Sequence, residues 1–236
     1  MLSGYGRSTV TRVMHPFART LVRMGVTPNG VTLTGLVLTS AAAIYFFGTG
    51  RLLAGAIAIG LCALLDLVDG AVARAGDGGS PYGALVDAVS DRVADGVIFA
   101  SLIWYVVRSD DAGELTLFML LTALVFSQVV SYSKARADAG GLATPGGLME
   151  RADRLVIILA GAALAGLGVH WALEVASTLV AVGSLITVCQ RMWGGRADYM
   201  RRRDAGERIP PDVGASFGTK GTPRTKRAPE EKDGQQ

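Results

Sequence analysis

The chain has 236 residues, half of them hydrophobic and only 18% charged, and its formal net charge is +3. This is the composition of a helical membrane protein with a single integral domain, and so small a charge gives no argument for a nucleic-acid partner. Cys62 and Cys189 lie in apolar runs without C-x-x-C or metal-ligand spacing, so both are expected to be free thiols and neither points to a disulfide or zinc framework.

In chain order, Val10, Val13, Met14, Phe17, Leu21 and Met24 recur near helical period among Arg7, Arg12, Arg19 and Arg23. Residues 1–30 are therefore expected to hold an amphipathic interfacial helix on an anionic membrane face, ended by Gly25 and Pro28. No charged segment, short apolar core and small-residue cleavage site follow one another there, so no cleavable signal peptide is expected. Six apolar stretches come next, at 31–47, 52–73, 84–107, 115–133, 155–169 and 172–189, each near the ~20 residues that a bilayer requires. Together they predict an all-α integral membrane domain of six transmembrane helices over residues 31–195, with tight turns at 48–51 and 168–171. Gly55, Gly60, Gly161 and Gly166 are expected to serve close helix packing. Residues 196–236, charged and rich in Gly and Pro, are expected to form a disordered tail. Arg74, Arg92, Lys134, Arg136, Arg151, Arg154 and Arg191 fall on one side of this arrangement, and Arg51 and Arg108 on the other. The excess of positive charge puts the first side, with both termini, in the cytoplasm of a multi-pass cell-membrane protein.

The most informative stretch is 66–92, DLVDGAVARAGDGGSPYGALVDAVSDR. Asp66 and Asp69 stand three apart, Asp87 and Asp91 four apart, and a Gly- and Pro-rich turn separates the pairs. Each pair falls on one helical face, and a fold-back at the turn brings all four carboxylates to one point. Four like charges need a counter-charge, and hard oxygen donors without His or Cys suit Mg²⁺, Mn²⁺ or Ca²⁺ better than zinc. Four uncompensated aspartates in lipid would cost on the order of 10 kcal/mol, more than a structural role explains. Asp66 lies ~21 Å along its helix from Leu52, about two-thirds of the way through a ~30 Å core, so the carboxylates are shallow. Gly70 and Ala73 leave room beside the first pair for a flat group, and Arg74 adds a planar fork suited to phosphate.

The spacing D-x2-D-G-x2-A-R-x8-G-x3-D-x3-D fixes eight residues over 26 positions, and it resembles the signature of the CDP-alcohol phosphotransferases. That resemblance implies two divalent ions, Mg²⁺ or Mn²⁺, held by Asp66, Asp69, Asp87 and Asp91, with Asp91 also acting as general base. It implies a CDP-diacylglycerol site bordered by Asp69, Gly70, Ala73 and Gly83, with Arg74 on the diphosphate and Pro28, Asn29 and Thr32 near the nucleotide. It implies a homodimer as well.

A second cluster follows at 127–154: Ser131 and Lys134 end the fourth stretch, Arg151 and Arg154 begin the fifth, and Arg191 ends the sixth. Basic residues at helix ends often only anchor at the interface, but convergence from three helices makes an anion pocket. Residues 127–155, joined to the signature, resemble the actinobacterial phosphatidylinositol phosphate synthases within the same family. The acceptor this resemblance implies is inositol 1-phosphate, its phosphate held by Ser131, Lys134, Arg151 or Arg154, and Arg191. Two other readings stay open at this point: a relative that takes another phosphorylated acceptor, such as one making phosphatidylglycerol phosphate, and a small cation or proton transporter. A transporter would more naturally show inverted repeats and a midplane site, and no repeat is found.

Overall fold

The computed structural model describes residues 27–75, 80–109, 113–144 and 146–207, apart from the side chains of residue 28 and of residues 65–75. The expected interfacial helix and residues 208–236 of the tail lie outside the described residues. Within them the chain forms six helices and no strand. Helix α1 is Pro28–Ala42 and continues as one π-helical turn, Ala43–Phe47; α2 is Leu52–Ala75 and α3 is Pro81–Arg108. Helix α4 is Glu114–Ala139, α5 is Arg151–Gly166 and α6 is Ala172–Asp204.

Local chemistry fixes where these helices start and turn. Thr27 and Ser80 each accept the backbone N–H three residues on, from Gly30 at 3.2 Å and Gly83 at 2.9 Å, and each is followed by a proline at the first helical position. Both expected tight turns close on a glycine with positive φ. At Gly50 (φ 75°) the Arg51 N–H reaches Phe46 O at 2.8 Å, and at Gly168 (φ 96°) the Val169 N–H reaches Leu164 O at 3.0 Å. These are Schellman closures, which satisfy the last carbonyls of α1 and α5 and send α2 and α6 back along them.

Every helix contributes to one core, with Phe47, Ile59, Leu102, Leu120, Ile158 and Val180 among its fully buried side chains. The outward faces are equally apolar: Val37, Ile44, Leu61, Trp104, Phe118, Val125, Val156 and Leu179 are all exposed. An apolar surface around a helical bundle whose backbone bonds are internal is what a bilayer selects. Three helices, Asn29–Phe47, Glu114–Ala139 and Ala172–Asp204, are long and apolar enough to cross a membrane, and Leu52–Leu64 is a shorter apolar run.

Two sequence expectations change. Helix α6 runs on to Asp204, so the first nine residues of the expected disordered tail, 196–204, are helical. Charge and polarity there were read as disorder, but tertiary contacts with the loop before α5 hold the extension, as described below. Of the four glycines assigned to packing, Gly60 has open space beside it. The other three do sit at close contacts: a Cβ at Gly161 would stand 2.2 Å from Ala176 Cβ, one at Gly166 2.5 Å from Leu53 N, and one at Gly55 2.6 Å from the Phe47 ring. Small residues thus let α5 approach α6 and α2 backbone to backbone. Gly166→Ala has no flexible neighbour to displace, so it is expected to destabilise the protein by about 1–3 kcal/mol, read as a lower unfolding midpoint in detergent, whereas Gly60→Ala leaves that midpoint unchanged.

Candidate active site

Helix α3 carries Asp87 and Asp91 one turn apart on the same face. Asp87 is exposed, and Asp91 is partly buried. The other signature residues, Asp66, Asp69, Gly70, Ala73 and Arg74, lie on the helical backbone of the last part of α2. Asn29 and Gly83, from the first turns of α1 and α3, are neighbours: a Cβ at Gly83 would lie 3.2 Å from Asn29 Oδ1. Two helix N-termini, with the positive ends of their dipoles, therefore meet near Asp87 on α3. Below them a narrow cleft opens between α1, α2, α3 and α5. Thr32, Ser90, Asp91 and Arg151 give it a polar end, and Leu36, Ile59, Ile98 and Leu155 an apolar one.

On the opposite flank α5 begins with Arg151 and Arg154. The Arg151 Nη1 lies 2.9 Å from Asp91 Oδ1, and its Nε lies 3.4 Å from Asp95 Oδ1. Arg154 is almost completely buried. Its Nη2 stands 3.8 Å from Asp95 Oδ2 and donates to Ser131 Oγ at 3.4 Å, and its Nη1 donates to Met149 O at 3.4 Å. Arg191, buried on α6, donates to the carbonyl of Val130 on α4. Lys134 is exposed one turn beyond Ser131. The fold thus brings Ser131, Arg154 and Arg191 into one cluster and joins Arg151 to Asp91, while Lys134 stands at the cluster's rim.

The charge balance of this flank is uneven. Arg92, Arg151 and Arg191 all lie within electrostatic range of Arg154. The buried Nε atoms of Arg92, Arg154 and Arg191 have no hydrogen-bond partner among the described residues. Buried guanidinium N–H groups without acceptors are costly, and an anion with several oxygens relieves that cost.

The loop that leads into α5 is held from α6. Met149 N–H donates to Thr187 Oγ1 at 3.0 Å, Leu148 N–H to Gln190 Oε1 at 2.9 Å, and Ala143 N–H to Asp198 Oδ2 at 3.0 Å. Glycines allow the close fit: a Cβ at Gly147 would lie 2.0 Å from Thr187 Cγ2. Asp153 Oδ2 accepts the Glu150 N–H at 3.0 Å, capping α5 and leaving its two arginines to the site. Asp198 lies beyond the apolar part of α6. The Ala143 N–H above all, with Arg201 and with Arg202 at 3.0 Å, holds its carboxyl below the usual carboxylate range, although burial pushes it up.

Sequence reasoning passed over Asp95, Gln128 and Asp198. Asp95 had a signal, since it continues the i, i+4 series of Asp87 and Asp91. Gln128, whose Nε2 donates to Arg92 O at 3.3 Å, and Asp198 had none, because their partners are distant in sequence. Among the described residues no group of three or more His, Cys, Asp or Glu is assembled. Asp87 and Asp91 still present hard oxygen donors on one face, the donor chemistry of a magnesium-like ion.

A polar end built from a carboxylate helix face, two helix N-termini and an arginine cluster has the chemistry to bind a phosphate-bearing group. Residues 25–189 match the family model described as CDP-alcohol phosphatidyltransferase, and the chain belongs to that family. It is 44% identical over 207 residues to the phosphatidylinositol phosphate synthase of Mycobacteroides abscessus, covering 85% of this chain and 94% of that one. It is 42% identical over 192 residues to the enzyme of the same name from Corynebacterium glutamicum, covering 81% and 88%. Its fold matches the crystal structure of Mycobacterium tuberculosis phosphatidylinositol phosphate synthase with CDP-DAG bound, with a TM-score of 0.74 and 41% identity over 78% of this chain and 93% of that one. A structure of the same enzyme with manganese and citrate matches with a TM-score of 0.73 and 41% identity, over 78% and 88%.

The clamp at Asp198 has a pH signature. A carboxyl with a lowered native pKa stabilises the fold fully above its unfolded value of about 3.9 and ceases to as pH falls through the native value. Asp198→Asn is expected to lower the unfolding midpoint at neutral pH, and the gap to the parent chain should close only below pH about 4; midpoints measured across pH check this.

Proposed function

We propose that this protein transfers the diacylglyceryl phosphate group of CDP-diacylglycerol to inositol 1-phosphate, giving phosphatidylinositol phosphate and CMP. The observation that carries this reading is the Asp91–Arg151 contact at 2.9 Å, which joins the signature helix to the arginine cluster. It supports a reading in which Asp91 acts as base for a hydroxyl while Arg151 and its neighbours bind a phosphate on the same acceptor. Relatives over 40% identical along most of the chain carry the corresponding name, and one is named with CDP-DAG bound.

The donor set fits a divalent cofactor, Mg²⁺ or Mn²⁺, and Asp66, Asp69, Asp87 and Asp91 would hold two ions. When bound, such ions draw charge from the diphosphate and stabilise the leaving phosphate. The residues of the chain do the rest. The hydroxyl oxygen of the acceptor forms a bond to the lipid-side phosphorus, that phosphorus loses its bridging oxygen to CMP, and Asp91 takes the hydroxyl proton. A carboxylate is a weak base for an alcohol, so proton transfer is concerted with attack. Gly70, Ala73 and Gly83 border the cytidine, Asp69 belongs to the same CDP-lipid site, Arg74 meets the diphosphate, and Pro28, Asn29 and Thr32 line the nucleotide side. The contact of Gly83 with Asn29, and the presence of Thr32 in the cleft of Asp91, support that grouping. Two converging helix N-termini add positive potential for the diphosphate.

Ser131, Lys134, Arg151, Arg154 and Arg191 receive the acceptor phosphate. The unpartnered Nε groups of Arg154 and Arg191 support this role. All six helices cross the cell membrane, preceded by an interfacial helix in residues 1–30. The site and both termini face the cytoplasm, where the donor's tails stay in the inner leaflet while CDP and acceptor meet water. Two copies form a homodimer.

Purified protein in detergent with Mg²⁺ or Mn²⁺ is expected to release CMP from CDP-diacylglycerol with inositol 1-phosphate, and not with inositol or glycerol 3-phosphate. Release with glycerol 3-phosphate alone overturns the acceptor; cation flux in liposomes without CMP release overturns the enzyme. Asp91→Asn should cut turnover by a factor on the order of 10² or more and keep most CDP-lipid binding. Arg191→Gln should raise the KM for the acceptor at least about tenfold and that for the donor far less.

A further inference from the structure

The mechanism uses Asp91 and the arginines of α5 but gives no task to Asp95, the carboxylate between them. Asp95 lies one turn along α3 from Asp91 and is only 6% exposed. A charge so deep in an apolar bundle persists only when paired, and beneath it the packing is apolar, with Ile98, Phe99 and Ile158. Its two oxygens are divided between two arginines: Oδ1 lies 3.4 Å from Arg151 Nε and Oδ2 3.8 Å from Arg154 Nη2. Arg151 is thereby held by one edge while its Nη1 points to Asp91, and Arg154 is held while its Nη2 reaches Ser131.

We infer that Asp95 is a positioning residue, which fixes the forks of Arg151 and Arg154 so that the acceptor phosphate is bound in register with the base Asp91. A planar guanidinium recognises phosphate only when its plane is set. Without Asp95 behind them Arg151 keeps its Asp91 edge and Arg154 its bonds to Ser131 and Met149, but each loses a contact that fixes its plane. Partners standing behind a binding side chain commonly contribute 10–100-fold to affinity or activity. The inference rests on the acceptor reading above.

The test is CMP release by the full-length protein in detergent, with KM measured separately for inositol 1-phosphate and CDP-diacylglycerol, in Asp95→Asn, Arg151→Gln, Arg154→Gln and the double variant Asp95→Asn/Arg151→Gln. Asp95→Asn is expected to raise the acceptor KM about tenfold or more and the donor KM less than about twofold. In the double variant the loss should fall well short of the product of the two single losses, because Asp95 acts through Arg151. An equal rise in both KM values, or losses that multiply in full, assigns Asp95 to folding alone and overturns the inference. Where Asp95→Asn does not fold, Asp95→Glu keeps the charge and displaces it, and an unchanged acceptor KM there is equally fatal. A raised acceptor KM in Arg151→Gln and Arg154→Gln beside a normal one in Asp95→Asn removes only the positioning role. Normal values in both arginine variants remove the acceptor reading, and this inference with it.

Discussion

Charge inside an apolar bundle has to be answered by charge, and in this protein the answer runs between α3 and α5. Arg151 meets Asp91 at 2.9 Å, and Asp95 takes the remaining edge of Arg151 and one nitrogen of Arg154. Neither helix holds these groups comfortably alone, since a carboxylate or guanidinium at such depth costs several kcal/mol unpaired. Paired, they tie the signature helix to the arginine helix and set the distance between the two halves of the site. Ile98, Phe99 and Ile158 line the small cavity beneath this ion network.

The two halves are supported in different ways. On the side of the signature helices the order comes from helix starts: Thr27-Pro28 and Ser80-Pro81 use the same cap, and they lead into first turns in which Asn29 meets Gly83. The arginine side depends on a loop without regular structure, which would wander if left alone. Thr187, Gln190 and Asp198 of α6 bind three of its backbone N–H groups, and Gly147 and Gly183 permit the close approach. The long α6 is in this sense part of the site although only Arg191 enters it.

Outside the site the usual arrangement of polar and apolar surface is reversed. Val37, Phe118, Val125 and Leu179 face outward, while Ser127, Ser177, Ser184 and Thr187 are buried. Ser177 and Thr187 satisfy their hydroxyls by donating back to carbonyls of their own helix, whereas the hydroxyls of Ser127 and Ser184 have no partner among the described residues. Helix α3 carries Asp87, Asp91, Arg92 and Asp95 and is not among the three helices long and apolar enough to cross a membrane, and neither is α5, which has 16 residues.

Much of this was legible in sequence because it depends on local order along the chain. Apolar length gave six helices with starts within a few residues, Gly-containing turns gave two closures, and the spacing of Asp87 and Asp91 placed both on one face, since helical period is a property of the backbone. The grouping of Ser131, Arg154 and Arg191 also followed, once three helix ends were put on one side. What the tertiary structure alone decided is which charges pair. Sequence offered Arg151 and Arg154 as equivalents, whereas the folded chain gives Arg151 to Asp91 and buries Arg154 against Ser131 and Met149. It likewise turned a polar stretch read as tail into helix as far as Asp204, because Asp198 finds its partner in the Ala143 N–H, 55 residues away in the chain. Pairings between distant residues leave no periodic mark, and only the folded chain selects among them.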